Sequence, residues 1–290
     1  MKINIAKSSG FCFGVRRAIE ICRDIARGEE RVYVLGDIVH NSFVVEEMSR
    51  KGIRKTKRLL PSHKGSTLII RAHGAPENIF EKARSKGIKI VDATCPKVKE
   101  IYKIGRKLEK KSKLIIIGDP EHDEVKGIEG QLRKKPLIIG SPRKIDPEKL
   151  RKIKKASVIT QSTQTLDNIE NIVKELKKHI PAVELYNTTC SITKIKQEEI
   201  RTLPEKNDIV LIVGSRNSAN TKNLFQISKK INRRTYWIGC AEEMKPSWFR
   251  NASSVGIMAG ASTPDHVVGD IVLKLRYISG TEHRPRPSVR

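Results

Sequence analysis

The chain has 290 residues, with 58 Lys and Arg against 32 Asp and Glu, a formal net charge of +26, and only 4% aromatic residues. This length exceeds one small core and fits two or three compact lobes. No apolar run approaches the ~18 residues of a membrane span, the N-terminus MKINIAKSSGFCFG lacks the features of a secretory leader, and the periodic apolar residues exclude a wholly disordered chain. A soluble, cytoplasmic protein is expected.

Helical and β-rich patterns alternate along the chain. A helix is expected over residues 16–26, then strands at 32–35 and 67–70, a helix at 76–85, a strand at 89–91 and a helix at 97–111. Strands at 113–117 and 157–160 precede a helix at 166–179, a strand at 182–185 and a helix at 193–203. A strand at 208–213, a helix at 221–232, strands at 235–239 and 253–258 and a helix at 264–278 complete the pattern. This alternation reads as α/β with parallel sheets, in which chemistry gathers in the loops at the carboxyl ends of the strands.

The five cysteines are Cys12, Cys22, Cys95, Cys190 and Cys240. An odd count at wide spacing argues against a disulfide framework, and no CxxC pair suggests a zinc ribbon. Three of them close strand-end loops: Ser8–Cys12, Asp92–Cys95 and Asn187–Cys190, the last two sharing a Thr-Cys ending. They lie 83 and 95 residues apart. Between them fall polar loops in pairs: at His40 and His73, at His122 and Gln161–Thr163, and at Ser218–Asn220 and Ser262. The pattern reads as a degenerate threefold repeat of small α/β lobes, 1–95, 96–190 and 191–280, with Cys95 and Cys190 opening the second and third and a basic tail at 281–290. Three such lobes with facing carboxyl ends would bring Cys12, Cys95 and Cys190 to one point. Three thiolates in a reducing compartment suit a soft metal centre, and an iron–sulfur cluster held by three keeps one iron open. Cys22 and Cys240 lack the Thr-Cys loop and read as structural.

His40, His73 and His122 stand at three different strand ends beside Ser, Thr, Asn and Gln, donors able to wrap phosphate oxygens without a Lys/Arg clamp. No GxxxxGK[ST] or helix-opening GxGxxG supports an ordinary nucleotide site. Glu124, two residues beyond His122, is either a proton donor or a first-turn acid stabilised by the helix dipole. The basic residues sit in short clusters such as Arg151–Lys155 and Lys229–Arg234. These read as a solvated surface ahead of an acidic protein partner or a nucleic acid.

Nine stretches, in order, carry a specific likeness: GFCFGVRRAIE at 10–20, HNSFVVEEM at 40–48, RAHGAPE at 71–77, VDATCPKV at 91–98, EHDEVKGIEGQ at 121–131, TQSTQ at 160–164, NTTC at 187–190, GSRNSANT at 214–221 and AGAS at 259–262. With these the chain resembles the 4-hydroxy-3-methylbut-2-enyl diphosphate reductase family over residues 1–280. The resemblance implies three α/β lobes in pseudo-threefold symmetry around a 4Fe–4S cluster. It implies Cys12, Cys95 and Cys190 as the cluster ligands, with the substrate hydroxyl at the unique iron. It implies an iron–sulfur oxidoreductase that removes the 4-hydroxyl of (E)-4-hydroxy-3-methylbut-2-enyl diphosphate and yields isopentenyl and dimethylallyl diphosphate, with reduced ferredoxin or flavodoxin as the electron donor. His40, His73, His122, Ser218, Asn220 and Ser262 match the diphosphate-binding positions, with Gln161 and Thr163 in the adjoining loop, and Glu124 matches the proton donor. Ser162 stands where many relatives have Thr, and Ala219 where relatives often have a second Ser. Asp119 and Asp123 replace a His and a Pro of the commoner pattern. Neither a membrane nor a nucleic acid is expected as partner. The other classes the residues admit are a zinc- or Cys-dependent hydrolase using the same strand ends and a basic nucleic-acid-binding protein.

Overall fold

The computed structural model describes residues 1–28 and 31–280, so the basic tail expected at 281–290 lies outside the described residues. The chain forms two compact units, Phe13–Lys194 and a second made of Met1–Cys12 with the chain from Ile195 onward. Between them they carry three four-stranded sheets, all of whose strand pairs are parallel.

The strands are, in chain order, β1 (Lys2–Ile5), β2 (Val32–Leu35), β3 (Arg54–Thr56), β4 (Thr67–Ile70), β5 (Lys89–Asp92), β6 (Lys113–Ile117), β7 (Leu137–Ile139), β8 (Lys155–Thr160), β9 (Ala182–Tyr186), β10 (Ile209–Val213), β11 (Thr235–Ile238) and β12 (Ser254–Ala259). The larger unit holds two sheets, in the orders β3-β2-β4-β5 and β7-β6-β8-β9; the other holds β1-β12-β10-β11. The helices are α1 (Phe13–Gly28), α2 (Ser42–Arg50), α3 (Glu77–Ser85), α4 (Pro96–Leu108), α5 (Asp123–Glu129), α6 (Pro147–Leu150), α7 (Leu166–His179), α8 (Ser191–Thr202), α9 (Ala219–Ile231) and α10 (Asp265–Ile278). Among the described residues no helix is long and apolar enough to cross a membrane.

The sequence explains which strands are central. LII within β4, LIII within β6 and IVLIV of β10 are continuous apolar runs, and these residues are buried because helices cover both faces of a parallel sheet. The edge strand β3 is only RKT, two of its three residues exposed, and its charges discourage pairing with another chain. Strands β3 and β7 and helices α2, α5 and α6 are absent from the sequence pattern because each is short or lies in a run that reads as polar loop.

All three sheets repeat one plan. A central strand (β2, β6, β10) leads out to an edge strand (β3, β7, β11) and returns to the second central strand (β4, β8, β12). The fourth position is β5, β9 and, in the third sheet, β1. The N-terminal strand therefore departs from the expected division, which put it in a lobe spanning 1–95. Its residues pair with β12, Ile3 opposite Val255 and Ile5 opposite Ile257. The cause is count: among the described residues the chain after Cys190 supplies three strands, so the N-terminus completes the sheet.

Ile212 is fully buried in the centre of that sheet, packed with Ile200, Leu224 and Met258. Replacing it with Ala should lower the stability of the folded chain by about 2–5 kcal/mol. Urea denaturation of Ile212→Ala checks this, and a loss under about 1 kcal/mol would contradict a close-packed core there.

Candidate active site

Each sheet ends its fourth strand in a cysteine loop held the same way. The Cys95 N–H donates to Ala72 O, the Cys190 N–H to Ser162 O and the Cys12 N–H to Ala261 O, each at 3.0 Å. The three acceptors lie in the loops after β4, β8 and β12, the neighbouring strand in each sheet. Helices α1, α4 and α8 begin at the residue after each cysteine. Helix N-termini favour anionic groups, which suits sulfur as thiolate. Cys95 and Cys190 belong to the larger unit and Cys12 to the other. Gly14 keeps space for the Cys95 sulfur: a Cβ there would fall 2.5 Å from Sγ. Cys22 is buried within α1, and burial pushes its thiol up to about 12, so it behaves as core. Burial also raises the Cys240 thiol.

In the larger unit, the loops after β2, β4 and β6 bring His40, His73 and His122 together. His40 stacks on His73 with centroids 4.3 Å apart, and His122 meets them edge-on at 5.5 and 5.6 Å. One ring nitrogen from each lies within 4.8 Å of the others. Burial is the main reason all three titrate low: His40 is lowered, His73 well below the usual value and His122 to about 4. Near neutral pH the trio is therefore uncharged, and each ring offers one N–H. For His122 the donor is settled by its helix-capping role. Its Nδ1 accepts the Glu124 N–H at 3.1 Å, which leaves the proton on Nε2. The His73 Nδ1 is buried with no hydrogen-bond partner among the described residues. Three imidazoles could hold a metal ion; beside them Asp123 favours positive charge on His40 and His122, Arg71 opposes it more weakly, and burial outweighs both.

Glu124 is the second residue of α5 and is buried. Its Oε1 accepts the Ser162 N–H and its Oε2 the Ser162 hydroxyl, both at 2.6 Å. Burial raises its carboxyl above the ordinary range, and the two Ser162 bonds pull it back. Opposed effects of this kind hold an acid ready to give up a proton. The loop after β8 is rigid around this pair: Gln161 Oε1 accepts the Asp119 N–H at 3.0 Å, and its Nε2 donates to Thr163 Oγ1 at 2.9 Å.

In the other unit, Ser218 caps α9, its Oγ accepting the Thr221 N–H at 3.3 Å. Ala219 opens that helix. Asn220 is buried, and its Nδ2 has no hydrogen-bond partner among the described residues. Ser262 is buried in the loop after β12. The capping position is equivalent in all three sheets, filled by Asn41 before α2, His122 before α5 and Ser218 before α9.

Sequence reasoning missed two groups. Arg71 pairs with Asp123 at 2.6 Å, and Asp123 lies 3.7 Å from His40 Nε2; the signal was the Asp in place of a Pro. Lys196 is fully buried, and burial lowers its ammonium to about 8; nothing in the surrounding KIKQEE distinguishes it from surface lysines.

The family model described as "LytB protein" matches residues 3–276. The chain belongs to that family. A relative from Aquifex aeolicus named 4-hydroxy-3-methylbut-2-enyl diphosphate reductase is 36% identical over 286 residues, covering 95% of this chain and 96% of its own. One of the same name from Geobacter metallireducens is 34% identical over 283 residues, covering 97% and 99%. A solved structure titled as (E)-4-hydroxy-3-methyl-but-2-enyl diphosphate reductase, the terminal enzyme of the non-mevalonate pathway, superposes with a TM-score of 0.70 at 35% identity over 96% of this chain and 100% of its own. The E-1-hydroxy-2-methyl-but-2-enyl-4-diphosphate reductase of Plasmodium falciparum gives 0.89 at 26% identity, over 100% and 95%. The chain is thus an enzyme of the oxidoreductase class with three parallel-sheet α/β lobes, and neither the nucleic-acid nor the hydrolase alternative is favoured.

The low imidazole values carry a pH prediction. His122 titrates near 4 when folded, against 6.5 for the ordinary group. Between those values the unfolded chain binds more protons, so stability is full above pH 6.5 and falls as pH drops toward 4. His122 alone accounts for roughly 3 kcal/mol. Urea unfolding at pH 7 and 4.5 should show this loss in the wild type and a smaller one in His122→Gln; equal losses would contradict it.

Proposed function

We propose that this chain reduces (E)-4-hydroxy-3-methylbut-2-enyl diphosphate to isopentenyl and dimethylallyl diphosphate. The observation that carries the reading is the uncharged imidazole trio set two residues from the buried Glu124–Ser162 pair. A site of this kind supplies donors for a diphosphate and a proton for a leaving group.

Cys12, Cys95 and Cys190 would hold a 4Fe–4S cluster, and their fit rests on three soft donors at equivalent strand ends and on the space Gly14 leaves at the Cys95 sulfur. When bound, such a cluster supplies one-electron reduction and an open iron as Lewis acid. The chain's own residues do the rest. His40, His73 and His122 donate N–H to diphosphate oxygens, His122 through Nε2. The Asn220 amide and the Ser218 and Ser262 hydroxyls match further diphosphate-binding positions of the family. Gln161 and Thr163 shape the loop beside the substrate. Ala219 offers no hydroxyl, so only its backbone can contribute. Glu124 gives its proton toward the substrate hydroxyl, with Ser162 Oγ as the adjoining relay.

The balance is two electrons and two protons per substrate: the C–O bond breaks, the hydroxyl leaves as water, and the allylic fragment gains one hydrogen. Electrons come one at a time from reduced ferredoxin or flavodoxin, acidic carriers that a surface with this charge would attract.

Glu124→Gln should lower kcat by about 10²–10⁴ while leaving affinity for the diphosphate substrate nearly unchanged. Unchanged turnover would remove Glu124 from the chemistry. Cys95→Ala should abolish the visible absorbance of the anaerobically reconstituted cluster, and a full cluster signal in that variant would exclude Cys95 as a ligand.

A further inference from the structure

Among the described residues Lys196 is the one Lys or Arg that is buried, and it is wholly so. A buried ammonium is costly unless its donors are satisfied. Lys196 Nζ donates to three backbone carbonyls: Ser8 O, Gly10 O at 3.3 Å and Ala259 O at 3.1 Å. Three acceptors match the three N–H bonds of the charged form. One turn further along α8, Glu199 accepts from the opposite poles of the same segment. Its Oε1 takes the Lys7 N–H at 2.5 Å, and its Oε2 takes the Ser8 N–H at 2.9 Å and the Ser8 hydroxyl at 2.5 Å.

These two side chains clamp the segment joining β1 to Cys12. The clamp is specific because the segment cannot otherwise be regular. Gly10 sits at φ +87, where a Cβ would also fall 2.6 Å from Asp265 Oδ1, and the Cys12 N–H must still reach Ala261 O. The backbone therefore turns its carbonyls inward toward one point. Lys196 fills that point with a positive charge, bonded to the carbonyl of Gly10, two residues before the proposed ligand.

We propose that Lys196 is a positioning residue: it fixes the loop that presents Cys12, and its buried charge favours the reduced state of the iron–sulfur centre held there. This rests on the reading of Cys12 as a cluster ligand, so the test keeps the two separable. Loss of a supporting group around a metal ligand weakens binding by about 10–100-fold, and removal of a nearby positive charge lowers a cluster's potential.

The test uses the full chain, reconstituted anaerobically with iron and sulfide, as wild type, Lys196→Met, Lys196→Arg and Glu199→Gln. Iron release to a chelator, the midpoint potential followed by paramagnetic resonance, and amide exchange at residues 7–12 of the metal-free protein are measured. Lys196→Met should exchange faster at 7–12, release iron about 10–100-fold faster and show a lower potential, whereas Lys196→Arg should hold the wild-type potential. A Lys196→Met protein with wild-type exchange, release and potential overturns the proposal. Should that variant not fold, Glu199→Gln carries the test: faster exchange at residues 7 and 8 with faster iron release supports the clamp, and wild-type values for both overturn it. A wild-type chain that takes up no cluster sinks the ligand reading; the exchange at 7–12 in Lys196→Met then decides alone whether Lys196 holds the loop.

Discussion

Three backbone hydrogen bonds, one per sheet, set the rest of this molecule in place. In each, a cysteine N–H is tied to the carbonyl that follows the neighbouring strand. The tie is possible only because the strands are parallel, so that a strand and its neighbour end together on one edge. It converts an edge strand into a mount for a thiol and starts a helix at the next residue. The same edge carries the capping residues Asn41, His122 and Ser218 and the loops at His73, Ser162 and Ser262. Chemistry is thus confined to strand ends while the apolar runs behind them supply the stability.

The electrostatics of the site run against the composition. A net charge of +26 suggests a cationic binding surface, yet the imidazole trio is held uncharged chiefly by burial. On the proposed function, neutral N–H donors would serve the diphosphate, with the Arg71 guanidinium tied to Asp123 beside them. A polyanion bound there would raise the affinity of the rings for protons, linking its uptake to proton uptake. Glu124 is held by the opposite balance, with desolvation raising it and two bonds from Ser162 lowering it. On the proposed function, Ser162 in the loop after β8 would tune a proton donor, while His40, His73 and His122 would hold the anion.

Much of this was legible in the chain. Helix α7 was readable to its bounds because Thr165 caps it and its apolar residues recur at helical spacing. Central strands such as β6 and β10 announced themselves as aliphatic runs, and two of the three cysteine loops by their Thr-Cys endings. What escaped reading depends on distant residues. Strand β1, four residues of modest burial, gains its place only by pairing with β12, some 250 residues away. Strands β3 and β7 are three-residue edges below any periodic signal. The polar companions were hidden for a related reason. Arg71 and Asp123 meet across two loops, and Lys196 differs from dozens of exposed lysines only in what surrounds it.

The most direct test of the account is an electron count. Full-length chain reconstituted with iron and sulfide would be given 4-hydroxy-3-methylbut-2-enyl diphosphate and a titrated one-electron reductant without oxygen. The account predicts two electrons consumed per molecule of isopentenyl and dimethylallyl diphosphate formed together, and no conversion by metal-free protein. Conversion that consumes no reductant, or that zinc alone restores to the metal-free chain, would contradict it.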